Sequence, residues 1–292
     1  METKTVLITG GLGYIGSHLA YSLIKQDYKV VIIDNKYNNY VDNIPGADIF
    51  IADICDTTYL KSIFDYYKID CVIHLASLKN IRESESQYIK YYNQNITMLT
   101  SLLSASNCKN IIFMSSASVY NEGTCSILDK PAPKSVYGKT KLVCEQILED
   151  VYNHDTEYNI TTLRLFNPIG YSFKGIQQGS NLLDIVVQVL KGDRPYLTAY
   201  GNGTMVRDYI YIEDVVNYII TCISNKGYTL TNVGTGVGYT VNDIISLLPS
   251  TLPTKYTDKI NTYESSTLVS DKGVPTTKNL KDIIKEILEC NA

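Results

Sequence analysis

Residues 5–19 read TVLITGGLGYIGSHL, a β-branched run that passes through a glycine-rich turn into an apolar periodic stretch. This order predicts a buried strand followed by a helix over 14–25. Gly10 permits a tight turn, Gly13 lets the backbone approach a diphosphate closely, and Gly16 lets the helix pack on the strand. The spacing is GxxGxxG rather than GxGxxG, so a plain strand-to-helix turn is the alternative interpretation.

Strand and helix signals alternate through the first half of the chain, which predicts an α/β protein with a doubly wound parallel sheet and right-handed crossovers. Near-continuous apolar runs, typical of strands covered on both faces, lie at 5–9, 29–34, 48–52, 71–75, 110–115 and 160–166. Helices are predicted at 14–25, 58–67, 89–106 and 136–152.

The pattern changes after Pro168, where glycines become frequent. Only one strand, at 230–233, and helices at 182–190, 213–224, 241–248 and 279–288 are predicted there. We therefore expect a dinucleotide-binding domain over 1–168, to which the chain returns near 205–235, and a mainly substrate-binding region over 169–292.

Composition excludes several classes of function. The chain has 292 residues, of which 45% are hydrophobic, and its net charge of −4 offers no basic surface for nucleic acid. No apolar run approaches the roughly 20 residues that would cross a membrane. Seven scattered cysteines never form a CxxC pair, and no signal-peptide pattern precedes the first strand, so we expect reduced thiols and a cytoplasmic location. The three histidines are far apart, so no metal site is predicted.

Acidic side chains end the second and third predicted strands. Asp34 closes KVVIID, about 20 residues after the glycine turn, where a carboxylate suits the 2′-hydroxyl of an adenosine ribose and repels a 2′-phosphate. This position favours NAD over NADP. Asp53 could hold an adenine edge or cap the helix that follows, and the sequence leaves both open.

The end of the fifth predicted strand, FMSSASVY, is rich in small hydroxyl side chains, at the edge where a parallel sheet binds ligands. Tyr137 follows Ser116 by 21 residues, and Lys141 lies one helical turn further on the same face. A phenol acts as a general base only when its pKa, near 10, is lowered, and a neighbouring ammonium favours the phenolate. Tyr21 and Lys25 repeat the spacing, so a surface pair of little value is the alternative.

These motifs belong to a longer series, in chain order, that resembles the extended short-chain dehydrogenase/reductase family, and within it the epimerases. The series includes TGGLGYIGSHL at 9–19, HLASLKNIRES at 74–84, YGKTK at 137–141, LRLFNPIG at 163–170 and VRDYIYIEDV at 206–215. The resemblance implies a Rossmann-type fold and NAD-dependent 4-epimerisation of a UDP-hexose, with or without an N-acetyl group, through a transient 4-keto sugar. It also implies a homodimer.

The resemblance further implies roles for individual residues. The expected catalytic residues are Ser116, Tyr137 and Lys141. The expected NAD-binding residues are Gly10, Gly13, Tyr14, Ile15, Asp34, Asn35, Asp53, Ile54, Leu75, Ala76, Lys79, Asn95, Tyr137, Lys141 and Phe166. The expected residues for the UDP-sugar are Lys79, Ser116, Tyr137, Asn167, Asn181, Leu182, Tyr200 and Arg207. Three of these, Phe166, Leu75 and Leu182, would also be ordinary core residues of such a fold.

One departure from the epimerase pattern concerns the substrate. Epimerases usually carry a second phosphate-binding arginine in an R-x-G-D stretch, whereas this chain has no arginine after Arg207 and the corresponding segment offers only Lys259. This departure leaves the catalytic core intact and bears on the substrate and the strength of its binding. A nucleotide-sugar 4,6-dehydratase, decarboxylase or 4-reductase is one alternative on the same fold, and a nucleotide-binding protein without catalysis is another. Dehydratases of the family carry an Asp-Glu pair where this chain reads SAS at 116–118, which favours the epimerase.

Overall fold

The computed structural model describes residues 3–37, 41–170, 182–249, 251–258 and 261–291. The helices are α1 Tyr14–Lys25, α2 Thr57–Tyr66, α3 Ile81–Ser86, α4 Tyr88–Ala105, α5 Val136–His154, α6 Leu182–Leu190, α7 Ile212–Cys222, α8 Val241–Ser246 and α9 Leu280–Asn291. The strands are β1 Thr5–Thr9, β2 Lys29–Asp34, β3 Ala47–Ile51, β4 Cys71–His74, β5 Asn110–Ser116, β6 Gly123–Cys125, β7 Asn159–Leu165, β8 Asn167–Ile169, β9 Leu197–Tyr200, β10 Val206–Tyr211, β11 Tyr228–Val233, β12 Gly238–Thr240, β13 Thr254–Thr257 and β14 Thr267–Ser270.

A seven-stranded sheet in the order β11-β7-β5-β4-β1-β2-β3 contains the first five strands of the chain and is completed by β7 and β11 from its second half. β1 lies parallel to β2 and β4, and β4 lies parallel to β5. Alternate side chains of the inner strands, such as Leu7 and Val72, pack with α2 and α4, whereas Ile32 lies on the opposite face beneath the start of α1. The sheet is thus covered on both faces, and the predicted doubly wound α/β fold is confirmed.

Parallel pairing brings the ends of β1, β2, β4 and β5 to one edge of this sheet. Thr9 pairs with His74 on one side and with Ile33 on the other, and His74 pairs with Phe113. The residues that follow these strands are therefore neighbours although they are distant in sequence. This carboxyl edge is where the motifs singled out from the sequence converge.

The chain divides into two compact units, one formed by residues 1–119, 135–164 and 216–231, and the other by 120–134, 165–215 and 232–292. The second unit contains a five-stranded sheet in which β12, β10, β14 and β6 are neighbours and β8 pairs with β10. Asp208 on β10 is fully buried and accepts hydrogen bonds from the N–H groups of Thr235, Gly236 and Ser270, which ties three segments of this unit together. The division assigns 120–134 to the second unit, whereas the sequence placed it in the first domain.

Most predicted elements differ from the structure by one to three residues at an end, and β1, β2, α1 and α6 coincide with their predicted ranges. The predictions for β3, β7, α2 and α4 were shifted by one residue. The sequence did not reveal α3 or the short strands of the second unit, since elements of three to six residues contain too few repeats to show a period.

Candidate active site

The turn between β1 and α1 is shaped by close backbone approaches. Gly10 has a φ of +69°, and a Cβ there would lie 2.9 Å from the Ala76 Cα. A Cβ on Gly16 would lie 2.4 Å from the carbonyl oxygen of Gly10, so the helix could not approach the strand with a larger residue. Gly13 is the N-cap of α1, and no side chain of the described residues caps this helix. The positive end of the α1 dipole, with no capping side chain at Gly13, suits an anion.

Asp34 is held next to this turn by two backbone donors. Its Oδ2 accepts from the N–H of Leu12 at 3.0 Å, and its Oδ1 accepts from the N–H of Lys36 at 2.8 Å. These bonds orient the carboxylate and leave lone pairs free for a hydroxyl group. Asn35 is exposed and accepts from the N–H of Tyr37.

The geometry after β3 distinguishes the two roles predicted for Asp53, contact with an adenine edge and capping of the next helix. The side chain of Asp53 is exposed and accepts from the N–H of Cys55 at 2.9 Å. The N-cap of α2 is Asp56, which accepts from the N–H of Tyr59, so the prediction that Asp53 might cap this helix was wrong. Ile54 is buried in the core, and Tyr14 and Ile15 lie in the first turn of α1.

The loop after β4 is fixed to the glycine turn. The hydroxyl of Thr9 lies 2.7 Å from His74 Nδ1 and accepts from the N–H of Ala76 at 3.2 Å. Further along, the buried amide of Asn95 bonds the N–H and carbonyl groups of Leu78. Leu75 is half-buried and Lys79 is exposed. The side chain of Thr9 thus holds the start of this loop next to Gly10. Asn95 stabilises the loop further along, through its two hydrogen bonds to the main chain of Leu78.

His74 is a neutral part of this support. Burial, with a smaller effect of the Lys141 charge, lowers the pKa of His74 to about 3. Its ring stacks on Phe113 with 5.8 Å between the ring centroids. A neutral imidazole keeps one donor and one acceptor, which suits a fixed bond to Thr9.

Ser116, Tyr137 and Lys141 form the candidate catalytic set. Ser116 lies close enough to Tyr137 to lower the pKa of its phenol, and the N–H of Ser118 donates to Ser116 Oγ at 3.1 Å. Lys141 is buried, and its Nζ donates to the carbonyl of Met114 at 2.8 Å. Nζ lies 6.0 Å from the centroid of the Tyr137 ring. The structure therefore brings the three predicted residues together, with the ammonium attached to the end of β5.

The pKa of Tyr137 differs from the expectation that Lys141 would lower it. Burial raises the pKa of Tyr137 to about 12, and the hydrogen bond from Ser116 opposes this rise. Burial also lowers the pKa of Lys141 to about 8. The predicted stabilisation of the phenolate by Lys141 is thus not found in the protein alone, because the site is desolvated and the ammonium is bonded to Met114.

The remaining predicted residues lie in the second unit. Phe166 is buried, and its N–H donates to the carbonyl of Val233. The amide of Asn167 donates to the carbonyl of Asp208 at 3.1 Å. Leu182 packs against the apolar cluster around α6, which agrees with its alternative interpretation as a core residue. Tyr200 is the last residue of β9. Asn181 lies outside the described residues.

Arg207 was expected to offer its fork to a diphosphate. In the structure Nη1 donates to the carbonyls of Val206 at 2.8 Å and Ser266 at 3.3 Å, and Nη2 donates to that of Ser265 at 2.8 Å. Burial lowers its pKa. The guanidinium has five N–H donors, so these three bonds commit only part of it. Lys259, the other candidate cation of this segment, lies outside the described residues.

Sequence reasoning missed a buried ion pair next to the catalytic set. Arg164 on β7 and Glu145 on α5 are almost fully buried, and Nη2 lies 2.7 Å from Oε2. The hydroxyl of Ser115, which precedes Ser116, donates to the same carboxylate. The sequence did carry a signal, since Arg164 interrupts an apolar strand and Glu145 follows Lys141 by one helical turn.

Within the described ranges, no cluster of three or more His, Cys, Asp or Glu side chains could hold a metal ion. No helix in that part of the chain is long and apolar enough to cross a membrane.

Comparisons with known proteins agree with the geometry. The model of the NAD dependent epimerase/dehydratase family matches residues 6–234. The UDP-glucose 4-epimerase of Yersinia pestis is 37% identical over 272 residues, which cover 82% of this chain and 80% of that protein. The crystal structure of UDP-glucose-4-epimerase from Stenotrophomonas maltophila, with bound NAD and formylated UDP-arabinopyranose, superimposes with a TM-score of 0.91 at 27% identity, covering 99% of this chain and 98% of that one. The UDP-N-acetylglucosamine 4-epimerase from Methanobrevibacter ruminantium M1, in complex with UDP-N-acetylmuramic acid, superimposes with a TM-score of 0.86 at 27% identity, covering 99% and 98% of the two chains.

Proposed function

Because this chain belongs to the NAD dependent epimerase/dehydratase family, we propose that it is an NAD-dependent 4-epimerase of a UDP-hexose. The observation that carries the proposal is the placement of Tyr137 beside Lys141, whose Nζ is bonded to the carbonyl of Met114 on β5, the strand that ends at Ser116. The relatives named above act on UDP-sugars, and one of them is an N-acetylhexosamine epimerase, so both kinds of hexose are candidate substrates.

The residues around the glycine turn fit NAD. The uncapped start of α1 and the close approach of Gly10 to Ala76 suit a diphosphate, and the carboxylate of Asp34 suits a ribose with a free 2′-hydroxyl. When bound, NAD supplies the acceptor that takes a hydride from the sugar C4 and returns it, together with the positive charge of its nicotinamide ring. Acid release of the bound nucleotide and mass spectrometry should find NAD and not NADP.

We assign the proton transfer to Tyr137. Its phenolate Oη would remove the proton of the sugar 4-hydroxyl and later return one to the same oxygen. The Ser116 hydroxyl, close enough to Tyr137 to influence its pKa, would donate to that oxygen and orient it. A tyrosine whose pKa is raised to about 12 by burial needs positive charge in the site before it can act as a base near neutral pH.

The nucleotide part of the substrate is proposed to bind residues of the second unit. Arg207 keeps unused N–H donors for a phosphate, and Tyr200 offers an aromatic face to a uracil. Asn167, Asn181 and Leu182 complete the proposed set in this unit, and Lys79 of the first unit is also proposed to contact the UDP-sugar. A chain with one arginine in this role instead of two should bind UDP more weakly than relatives that carry both.

The reaction is tested by incubating the purified protein separately with UDP-galactose and UDP-N-acetylgalactosamine and following the products by proton NMR. We expect inversion at C4 of at least one of them. Failure to invert C4 of any UDP-hexose would exclude the proposal. A 4-keto-6-deoxy product would instead indicate a 4,6-dehydratase.

We also propose that the protein is a cytoplasmic homodimer that associates through α4 and α5. Exposed apolar side chains at the start of α4, Tyr88 and Ile89, support a contact there, and the seven cysteines carry thiols rather than disulfides. Light scattering coupled to size-exclusion chromatography should give twice the chain mass of 32.7 kDa, and Ile89→Lys should reduce it.

A further inference from the structure

The first three backbone N–H groups of α5, the helix that carries Tyr137, each donate to a side chain. The N–H of Val136 donates to Glu85 Oε1 at 2.7 Å, that of Tyr137 donates to Ser84 Oγ at 3.1 Å, and that of Gly138 donates to Ser135 Oγ at 3.0 Å. Ser135 is an ordinary N-cap. The other two acceptors come from α3, about 50 residues earlier in the chain.

In the bond between Tyr137 and Ser84, the backbone N–H of Tyr137 is the donor and the Ser84 hydroxyl oxygen is the acceptor. Ser84 is fully buried, and its hydroxyl has two possible acceptors, the carbonyl of Ile81 at 2.6 Å and Glu85 Oε1 at the longer distance of 3.4 Å. A serine hydroxyl has one donor and two acceptor sites, so its lone pairs remain to accept from the N–H of Tyr137. The acceptor at this N–H is therefore held in place by its own bond to α3.

The short helix α3 is itself anchored to α4. The buried Tyr91 accepts from the N–H of Asn80, the N-cap of α3, and its hydroxyl donates to Glu83 Oε2 at 3.1 Å. Lys90 pairs with the other oxygen of Glu83 at 2.8 Å. These contacts make α3 a fixed support although six residues would not form a stable helix alone.

The carbonyl of Tyr137 is held as well. It accepts from the hydroxyl of Thr140 at 2.8 Å, and Thr140 accepts in turn from the amide of Asn95 at 3.0 Å. Thr140 and Asn95 are both buried. The main chain of Tyr137 is thus tied on its N–H side to α3 and on its carbonyl side to α4.

We propose that Ser84 and Glu85 are positioning residues that set the place of the Tyr137 phenol by capping the start of α5. The role rests on the proposed function, in which Tyr137 is the base. Glu85 adds a carboxylate at the positive end of the helix, next to the residue that carries the phenol. A displacement of about 1 Å of a reacting group can lower a rate about 100-fold, so the loss of one such tie is expected to act on turnover.

The test compares Ser84→Ala, Glu85→Ala and Glu85→Gln. We expect the two alanine variants to lower kcat about 10-fold or more, with KM for the UDP-hexose and the NAD content unchanged. Glu85→Gln keeps an oxygen that accepts from the N–H of Val136, so it should restore kcat to within about 3-fold of the wild type. Wild-type kcat in both alanine variants would overturn the proposal.

Two control variants separate positioning from loss of stability. Asn279→Ala removes a similar cap, the bond from the N–H of Asp282 in α9, and should lower stability by about 1 kcal/mol without lowering kcat. Ser135→Ala frees the N–H of Gly138 at the start of α5 and leaves both bonds to α3 intact, so its kcat should fall less than that of Ser84→Ala. If kcat falls equally in Ser135→Ala and Ser84→Ala, the positioning of Tyr137 cannot be assigned to Ser84.

A second measurement does not depend on activity. Hydrogen–deuterium exchange of the peptide containing residues 136–141 should be faster in Ser84→Ala and Glu85→Ala than in the wild type, and slow again in Glu85→Gln. If the wild type fails to epimerise, the proposed function is wrong, and the exchange rates alone decide whether α3 holds Tyr137. If Ser84→Ala does not fold, the two Glu85 variants decide the question, because Glu85 is only half-buried.

Discussion

At the scale of single residues, Tyr137 shows how much of a functional group's behaviour depends on its surroundings. A lysine one helical turn away was expected to lower its pKa, but burial raises that pKa to about 12. Lys141 carries its own burial penalty, which lowers its pKa to about 8, and its ammonium is bonded to a carbonyl. We therefore expect the proposed base to need further positive charge in the site before its phenolate forms near neutral pH.

Replacing Tyr137 by phenylalanine should keep the fold and the bound NAD and lower kcat by at least about 100-fold, the usual scale for loss of a general base. Ser116 and Lys141 would remain in place, so NAD content and the melting temperature serve as the checks on folding. Epimerase turnover is measured with the hexose that the wild type inverts. Near-normal turnover in Tyr137→Phe would remove Tyr137 from the mechanism.

The matched control is Tyr21→Phe in α1. Lys25 Nζ lies 4.4 Å from the centroid of the Tyr21 ring, a shorter distance than the 6.0 Å between Lys141 Nζ and the Tyr137 ring. Tyr21 is 37% exposed, however, and is not at the carboxyl edge of the sheet. We expect Tyr21→Phe to leave kcat unchanged, because spacing and a cation contact do not by themselves make a base.

At the scale of elements, the ion pair between Glu145 and Arg164 joins α5 to β7. Two Arg164 nitrogens contact the Glu145 carboxylate, and both side chains are almost fully buried. Such a pair is costly to desolvate, and removal of one partner leaves the other charged and unpaired in the interior. The same carboxylate accepts from Ser115, so the pair also fixes the end of β5.

The single variant Arg164→Leu should lower the free energy of unfolding by about 3–5 kcal/mol, measured by urea denaturation. The double variant Glu145→Leu with Arg164→Leu should recover a large part of that loss, because no unpaired charge stays buried. If the double variant loses as much as the single one, the packing of the arginine and not its charge accounts for the effect.

At the scale of the whole molecule, two buried bases link stability to pH in different windows. The pKa of His74 is lowered from 6.5 to about 3, so the unfolded state binds more protons between these values and stability falls as the pH falls through this range. The pKa of Lys141 is lowered from 10.5 to about 8, so the unfolded state binds more protons between these two values. The contribution of Lys141 to the free energy of unfolding therefore rises with pH across this range and changes little outside it. Below pH 8 the Lys141 contribution is constant.

We therefore expect acidification from pH 7 to pH 5 to lower the free energy of unfolding by about 2 kcal/mol through His74 alone. Urea denaturation of the wild type and of His74→Gln at both pH values measures this contribution as the difference between their pH dependences. His154→Gln, at an exposed histidine, is the matched control for the loss of an imidazole. An unchanged pH dependence in His74→Gln would show that His74 is not the group responsible.

Sequence patterns by themselves predicted the fold class. They also predicted which side chains come together at the carboxyl edge of the sheet, namely those of Asp34, Ser116, Tyr137 and Lys141, next to the turn at Gly10. They could do so because long buried strands and helices carry clear periods, and parallel pairing brings strand ends together whatever lies between them. The family followed from the same motifs, and the family match over residues 6–234 confirms it.

Only the tertiary structure decided how those side chains are held and charged. The caps that Ser84 and Glu85 place on α5, the bond from Lys141 to Met114, the pair of Glu145 with Arg164 and the carbonyls around Arg207 all join positions far apart in the chain. No local period encodes such contacts, since each depends on the side-chain conformations of elements that pack only after folding. Burial, which moves the pKa of Tyr137 upward, is likewise a property of the packed molecule and not of the residue.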